Sequence, residues 1–426
     1  MRILFATAQW FPDFKGGSGR VAANVAVGLA RRGHSVTVLV PQIEGLPAFE
    51  VPEPGLTVHR VLRRTRWPKT LVDPVRTRRE ARRLRAQGFD VLVGHQSTTT
   101  LGLWAARLDL PVVSVFHASA LRELRFLRSQ LPFGLERLRT YPLALPLTCF
   151  ERLAARRAAS GIVALIEFSR SLLREDHGRA GERARILPAG IDLDRFSPAD
   201  GVAAARTRLG VDPDAPLLVT VRRLEPRMGV EQLLRAVQRL ADRRLTLVVV
   251  GRGRLDAALR SLSAELGLER EVRFVGSVPD DELGDWYRAA DLFVLPTAAY
   301  EGFGMVTAEA LASGTPVVGT PVGATPELLA PLDPRLVARG TDADALADAI
   351  SEALALTGPE FRRRCREYAS ERFSLETKIA EWERALVETV DIAPGPAPPR
   401  GRGGRRTRPT SSSNASLSST TVGPET

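Results

Sequence analysis

Short β-branched runs alternate with helix-period stretches along this chain, and the alternation happens twice. Arg2 to Thr7 reads as a strand, followed by a glycine-containing loop and a helix with Val21, Val25 and Leu29 on one face. Gly33 ends that helix, and Val36 to Val40 forms the next strand. Further strands read at 89–94, 112–116 and 162–166. The pattern breaks between Pro188 and Pro198, then restarts with strands at 217–221, 245–250, 272–275, 291–295 and 316–319. Such a rhythm predicts parallel sheets covered by helices, in an α/β fold of two Rossmann-like, doubly wound domains facing across a cleft. Ligands of such domains sit at the carboxyl ends of the strands.

Length agrees with two cores, since 426 residues exceed the roughly 250–300 at which one core stops growing. The expected divisions are 1–190, 191–375, a helix at 376–392 returning to the first domain, and a Pro/Gly/Arg/Ser tail at 393–426 expected to be disordered. No run reaches the roughly 18 apolar residues of a membrane span, and Met1 leads almost directly into a strand without a signal-peptide pattern. The sequence is therefore expected to be cytoplasmic. Cys149 and Cys365 are too few for a disulfide framework or a cysteine zinc site.

The net charge of +11 is unevenly placed. Residues 60–86 carry eleven basic residues against Asp73 and Glu80, and the tail carries five arginines against Glu425, so the rest of the chain is near neutral. A nucleic-acid binder would spread a basic face interleaved with aromatics, but aromatics make up only 6% here, so no nucleic-acid partner is expected. The 60–86 segment is expected to meet an anionic membrane surface or a lipid-linked acceptor, which would make the protein peripheral at the inner face of the cell membrane.

The most informative stretch runs from Tyr300 to Glu309. Strand residues 292–295 lead through Pro296 to Glu301-Gly302-Phe303-Gly304, and a helix begins near Gly304 with Met305 and Val306. Glycines let backbone approach a ligand, and unpaired amides at a helix start attract an anion. Two carboxylates, Glu301 and Glu309, flanking such a cradle suit a ligand that is anionic in its middle and rich in hydroxyls at both ends, as a sugar nucleotide is. Gly251 and Gly253 after Val248-Val249-Val250 form a second strand-to-loop turn, open equally to packing or to ligand approach.

These residues resemble the donor site of the retaining GT-B glycosyltransferases of family 4, the glycosyl transferase group 1 type. The similarity runs from residue 2 to about 390, through Gly16-Gly17, Arg31 to Val38, Pro188 to Pro198, and Glu301 to Val318. It implies that Glu301 meets donor-sugar hydroxyls and Glu309 the ribose. Amides of Phe303, Gly304, Met305 and Val306 would hold the diphosphate, beside Gly16, Gly17, Gly251, Gly253 and Gly302. It further implies that His117 stands beside the donor sugar and that Arg223 faces the diphosphate. The lysine usual five residues after that arginine is Met228 here, so Arg227 is the candidate substitute. Ala189 and Ile166 replace the usual asparagine and serine.

The resemblance implies transfer of a sugar from a nucleotide-diphosphate donor to a carbohydrate, lipid-linked or small-molecule acceptor hydroxyl. Retention is implied, and neither metal nor cofactor is expected, since no acidic ligand cluster appears. Two alternatives stay open: a catalytically weakened partner subunit that binds a nucleotide sugar, with Met228 as its signature, and a nucleotide-sugar epimerase of the same fold. Acceptor choice is expected in residues 120–148.

Overall fold

In the computed structural model the described residues are 1–14, 16–62, 69–117, 119–130, 141–158, 160–199, 201–240 and 244–392. The tail expected at 393–426, residues 63–68 of the basic segment and 131–140 of the expected acceptor region lie outside them.

Residues 1–186 build an eight-stranded sheet from β1 (Arg2–Ala6), β2 (Ser35–Pro41), β3 (Phe49–Glu53), β4 (Leu56–Leu62), β5 (Val91–Gly94), β6 (Val112–Phe116), β7 (Gly161–Ala164) and β8 (Arg185–Ile186). Its order is β3-β4-β2-β1-β5-β6-β7-β8, parallel apart from the antiparallel β3–β4 pair. The second sheet takes β9 (Leu217–Val221), β10 (Thr246–Val250), β11 (Val272–Gly276), β12 (Leu292–Leu295) and β13 (Val317–Gly319) in the order β11-β10-β9-β12-β13, all parallel. In both sheets the chain reverses its winding next to the first strand, which opens a crevice at the strand carboxyl ends. The central strands are near-continuous apolar runs because helices cover both faces. Ile3, Leu4 and Phe5 in β1, and Leu292 to Leu295 in β12, are all fully buried.

Two differences from the sequence reading have local causes. The β3–β4 hairpin was not expected, because Pro52, Pro54 and Gly55 interrupt the alternation; β3 is an edge strand, where a missing amide is tolerated. The basic segment, which reads in the sequence as a helix from about Pro74 to Gln87, forms the helix Lys69–Arg83 with Pro74 inside its second turn and continues as a 3₁₀ turn at Leu84–Gln87.

The chain passes between the halves at two places, and these bond to each other. Ile191 N–H donates to the Phe373 carbonyl, and Leu375 N–H to that of Ile191. Beyond the second crossing, the helix Leu375–Ile392 lies on residues of the first half. Trp382 stacks near His95, Glu383 bonds to Arg32 and His34, and Ile379 fills the space over Gly28.

Candidate active site

A cleft of about 920 Å³ opens where the strand ends of both sheets converge. From the first half it is lined by Gly16, Gly17 and His117, and from the second by Arg223, Arg227, Met228, Gly251 and the run from Glu301 to Val306 with Glu309. Gly253 does not line it. That glycine lies against the Leu224 backbone, where a Cβ would come within 2.3 Å of the carbonyl oxygen, so its role is packing. Gly251 has φ 139° and the same tight relation to Arg222.

Glu301 is fixed by its neighbours. Arg222, buried at the end of β9, donates to Glu301 Oε2 at 2.9 Å, and the Thr297 hydroxyl donates to the same oxygen at 3.0 Å. Arg222 also reaches Thr297 at 2.7 Å. The neighbouring Arg223 is exposed and projects at the cleft. Along an extended segment adjacent side chains alternate in direction, so one arginine orients the carboxylate while the next faces the ligand space. Arg227 donates to the Tyr300 carbonyl at 2.9 Å from the same wall. Met228 is 6% exposed there, apolar among polar neighbours.

The helix Met305–Ala312 begins after Gly304, whose φ of 81° turns the chain so that the first-turn amides point at the cleft. Phe303 packs edge-on against Phe373 beneath them. Glu309, 2% exposed, accepts the Tyr287 hydroxyl at 2.7 Å. Burial holds the Glu309 carboxyl above its usual range, against the pull of Arg20 and Tyr287. Arg20 comes from the first half, in the helix Gly17–Arg31, with its Nε 3.7 Å from Glu309. Its guanidinium also pairs with Asp280, which Arg195 pairs with in turn, and lies 4.1 Å above the Phe11 ring. Apart from Glu309, none of this network was read from the sequence. Arg20 and Asp280 are 260 residues apart, and only the closed fold brings them together.

Opposite Glu301 stands His117, at the end of β6. Its Nε2 is 3.2 Å from Nδ1 of His95, which occupies the equivalent position after the neighbouring strand β5. Burial lowers the His117 pKa to about 4 and that of His95 well below the ordinary value, so both rings are neutral at pH 7. His95 is sandwiched near Phe5, His117 and Trp382. His95 was missed in the sequence, although two histidines ending adjacent parallel strands were a signal available there.

Direct contacts join the two walls. The Ser169 hydroxyl donates to the Gly302 carbonyl at 3.1 Å, and a Cβ on Gly302 would come within 2.8 Å of the His117 oxygen. Ile166 occupies the N-cap of the helix Glu167–His177 and offers no capping atom. The Glu327 carboxylate reaches across from the second half instead, accepting the Glu167 and Phe168 amides at 2.9 and 2.8 Å. The orphan donors of that helix are thus satisfied from the opposite half. Among the described residues, no group of three or more His, Cys, Asp or Glu is placed to hold a metal ion.

Two Rossmann-like sheets around a cleft, with a helix-start anion cradle flanked by two carboxylates, Glu309 buried and Glu301 half-buried, define a nucleotide-binding protein of GT-B architecture. Residues 15–195 match the profile described as Glycosyltransferase Family 4, and residues 202–372 that of Glycosyl transferases group 1. The chain is 31% identical over 370 residues to a GDP-mannose-dependent alpha-(1-6)-phosphatidylinositol monomannoside mannosyltransferase of Mycobacterium tuberculosis, covering 83% of this chain and 89% of that one. It is 39% identical over 181 residues to a D-inositol 3-phosphate glycosyltransferase of Streptomyces bingchenggensis, covering 40% of this chain and 39% of that one. The match thus spans about two fifths of the length of such curated relatives. Among solved structures, the sucrose-phosphate synthase of Thermosynechococcus elongatus superposes with a TM-score of 0.78 at 22% identity over 91% of this chain and 98% of that one. Anabaena HepE in complex with UDP-glucose superposes with a TM-score of 0.70 at 22% identity, over 91% of this chain and all of that one. The chain belongs to the GT-B glycosyltransferases.

Proposed function

We propose that this protein transfers a glycosyl unit from a nucleotide-diphosphate sugar to an acceptor hydroxyl, with retention at the anomeric carbon, as a member of family 4. The observation that carries the reading is the Arg222–Glu301–Thr297 triad set beside the helix start at Gly304, facing neutral His117 across the cleft. In this reading the Glu301 carboxylate accepts donor-sugar hydroxyls with its orientation already fixed. First-turn amides and Arg223 meet the charge that develops on the departing diphosphate, with Arg227 nearby in the position left open by Met228. These groups are set before reaction, so little reorganisation accompanies bond breaking, and no metal is invoked. His117, uncharged, offers the reacting sugar a hydrogen bond without adding positive charge. Retention follows the family resemblance.

The relatives described above act on inositol 3-phosphate and on phosphatidylinositol monomannoside by name, so a sugar or cyclitol, free or lipid-linked, is the acceptor class proposed. Glu301→Ala and Arg223→Ala should each lower transfer by about 10²–10³-fold, with the melting curve unchanged for Arg223→Ala, whose side chain is exposed. Transfer at the wild-type rate by either variant would remove the site assignment.

A second element of the proposal concerns location. The helix Lys69–Arg83 exposes Arg78, Arg79, Arg82 and Arg83, with Arg83 paired to Glu80. Each exposed arginine near an anionic leaflet contributes about 1 kcal/mol. Salt-sensitive sedimentation with anionic liposomes is expected, and sedimentation that ignores salt, or none at all, contradicts it. No helix among the described residues is long and apolar enough to cross a membrane.

A further inference from the structure

Two uncharged imidazoles that share one hydrogen bond can share it in two ways. His95 follows β5 and His117 follows β6, the neighbouring parallel strand, and the bond joins His95 Nδ1 to His117 Nε2 at 3.2 Å. Burial keeps both rings neutral, so each carries a single N–H proton. In one arrangement His95 Nδ1–H donates, and His117 keeps its own proton on Nδ1. In the other His117 Nε2–H donates, and His95 keeps its proton on Nε2. The surroundings of His95 decide between them. Its side chain is fully buried, its amide donates to the Ala6 carbonyl at 3.0 Å, and its ring packs against those of Phe5 and Trp382 at centroid separations of 5.6 and 6.4 Å. His95 Nε2 is buried with no hydrogen-bond partner among the described residues, and so is Nε1 of the adjoining Trp382, which can only donate. Orphaned buried N–H groups are rarer in folded proteins than under-satisfied acceptors. A proton on His95 Nε2 would set a second orphan donor beside the first, so the proton belongs on Nδ1.

We propose that His95 is a positioning residue that fixes the tautomer of His117: it donates from Nδ1 to His117 Nε2, and His117 therefore presents Nδ1–H to the cleft. What this does for the sugar rests on the transferase reading above. On the second half, the Glu301 carboxylate can only accept, and its Oε2 already takes protons from Arg222 and Thr297. His117 answers from the first half with a donor. A hydroxylated ring between them can thus donate to one wall and accept from the other. The opposite tautomer would place acceptors on both walls, and each hydroxyl has a single proton to give. His95 acts through His117, and the same bond also holds the plane of the His117 ring.

The chain has five histidines, so nitrogen-15 labelling of histidine in the full-length protein lets long-range proton–nitrogen correlations report each tautomer, with His95→Asn and His117→Gln assigning the two rings. The wild type is expected to show both His95 and His117 as Nδ1–H tautomers. Binding is read alongside by calorimetry with UDP-glucose, GDP-mannose, UDP and GDP. His95→Phe keeps a ring against Phe5 and Trp382 but supplies no donor. His117 should then populate both tautomers, and affinity for the nucleotide sugar that binds the wild type should fall about ten-fold, with affinity for the matching free nucleotide unchanged. His95→Asn restores an N–H near the Nδ1 position and should return the single tautomer and most of the affinity; it carries the test should His95→Phe fail to fold. The proposal is overturned if wild-type His117 holds its proton on Nε2. It is equally overturned if a folded His95→Phe protein binds the nucleotide sugar as tightly as the wild type, or if the variants lower only the melting temperature, as a purely structural residue would. Failure of the transferase reading looks different: neither nucleotide sugar binds, while His117 still shows Nδ1–H.

Discussion

The two walls of the cleft solve different electrostatic problems. The second half holds its carboxylates in pairs: Glu301 against Arg222, and Glu309 against Tyr287, with Arg20 reaching in from the first half. The first half faces it with imidazoles kept uncharged by burial. The charged wall suits a ligand that carries its own charge and needs fixed partners. The neutral imidazoles suit hydroxyls, where an added positive charge would draw the diphosphate to the wrong place. The division lies in the side chains at the strand ends, since both sheets are built on the same winding rule.

The neutral wall can be tested through pH. His117 binds a proton at about 4 in the folded protein and near 6.5 unfolded. The unfolded chain therefore takes the proton first as pH falls. The stabilising effect of the neutral ring is complete above pH 6.5 and is lost between about 6.5 and 4, a change of about 3 kcal/mol. His95 contributes with the same sign. Glu309, raised by burial, has the opposite sign, because its folded form binds the proton first. His117→Gln should therefore flatten the fall in melting temperature between pH 7 and 5. An unchanged slope would show that the ring is not held neutral, and the contrast between the walls would go with it.

The charged wall is tested with a smaller change. Tyr287→Phe removes the hydroxyl that donates to Glu309 in a fully buried site and should cost about 1.5–3 kcal/mol of stability. Nucleotide affinity should fall with it, because Glu309 loses its fixed orientation. Unaltered melting and unaltered nucleotide binding together would mean that the pairing is incidental.

These walls were unequally legible in the sequence. The strand rhythm foretold both sheets, since buried parallel strands are unbroken apolar runs such as Leu292 to Leu295. Glu301 and Glu309 were visible because they lie on one short strand–loop–helix segment whose geometry is local. Arg222 was passed over in favour of Arg223, since sequence alone does not say which of two adjacent arginines turns inward. Arg20, Asp280 and Glu327 carry no local pattern; their charged and amide partners lie 85 to 289 residues away. Ile166 shows the reason most clearly. It stands where the resemblance puts serine, and tertiary structure supplies the cap from Glu327.

The charged wall is proposed to hold a nucleotide-diphosphate sugar. Melting curves of the full-length protein across a panel of UDP-, GDP- and ADP-sugars address it without any knowledge of the acceptor. A donor present at 100 times its Kd stabilises the folded state by about 2.7 kcal/mol. One nucleotide family is expected to raise the melting temperature, and Arg223→Ala to abolish the rise. A wild-type protein whose melting temperature no nucleotide sugar moves would contradict it.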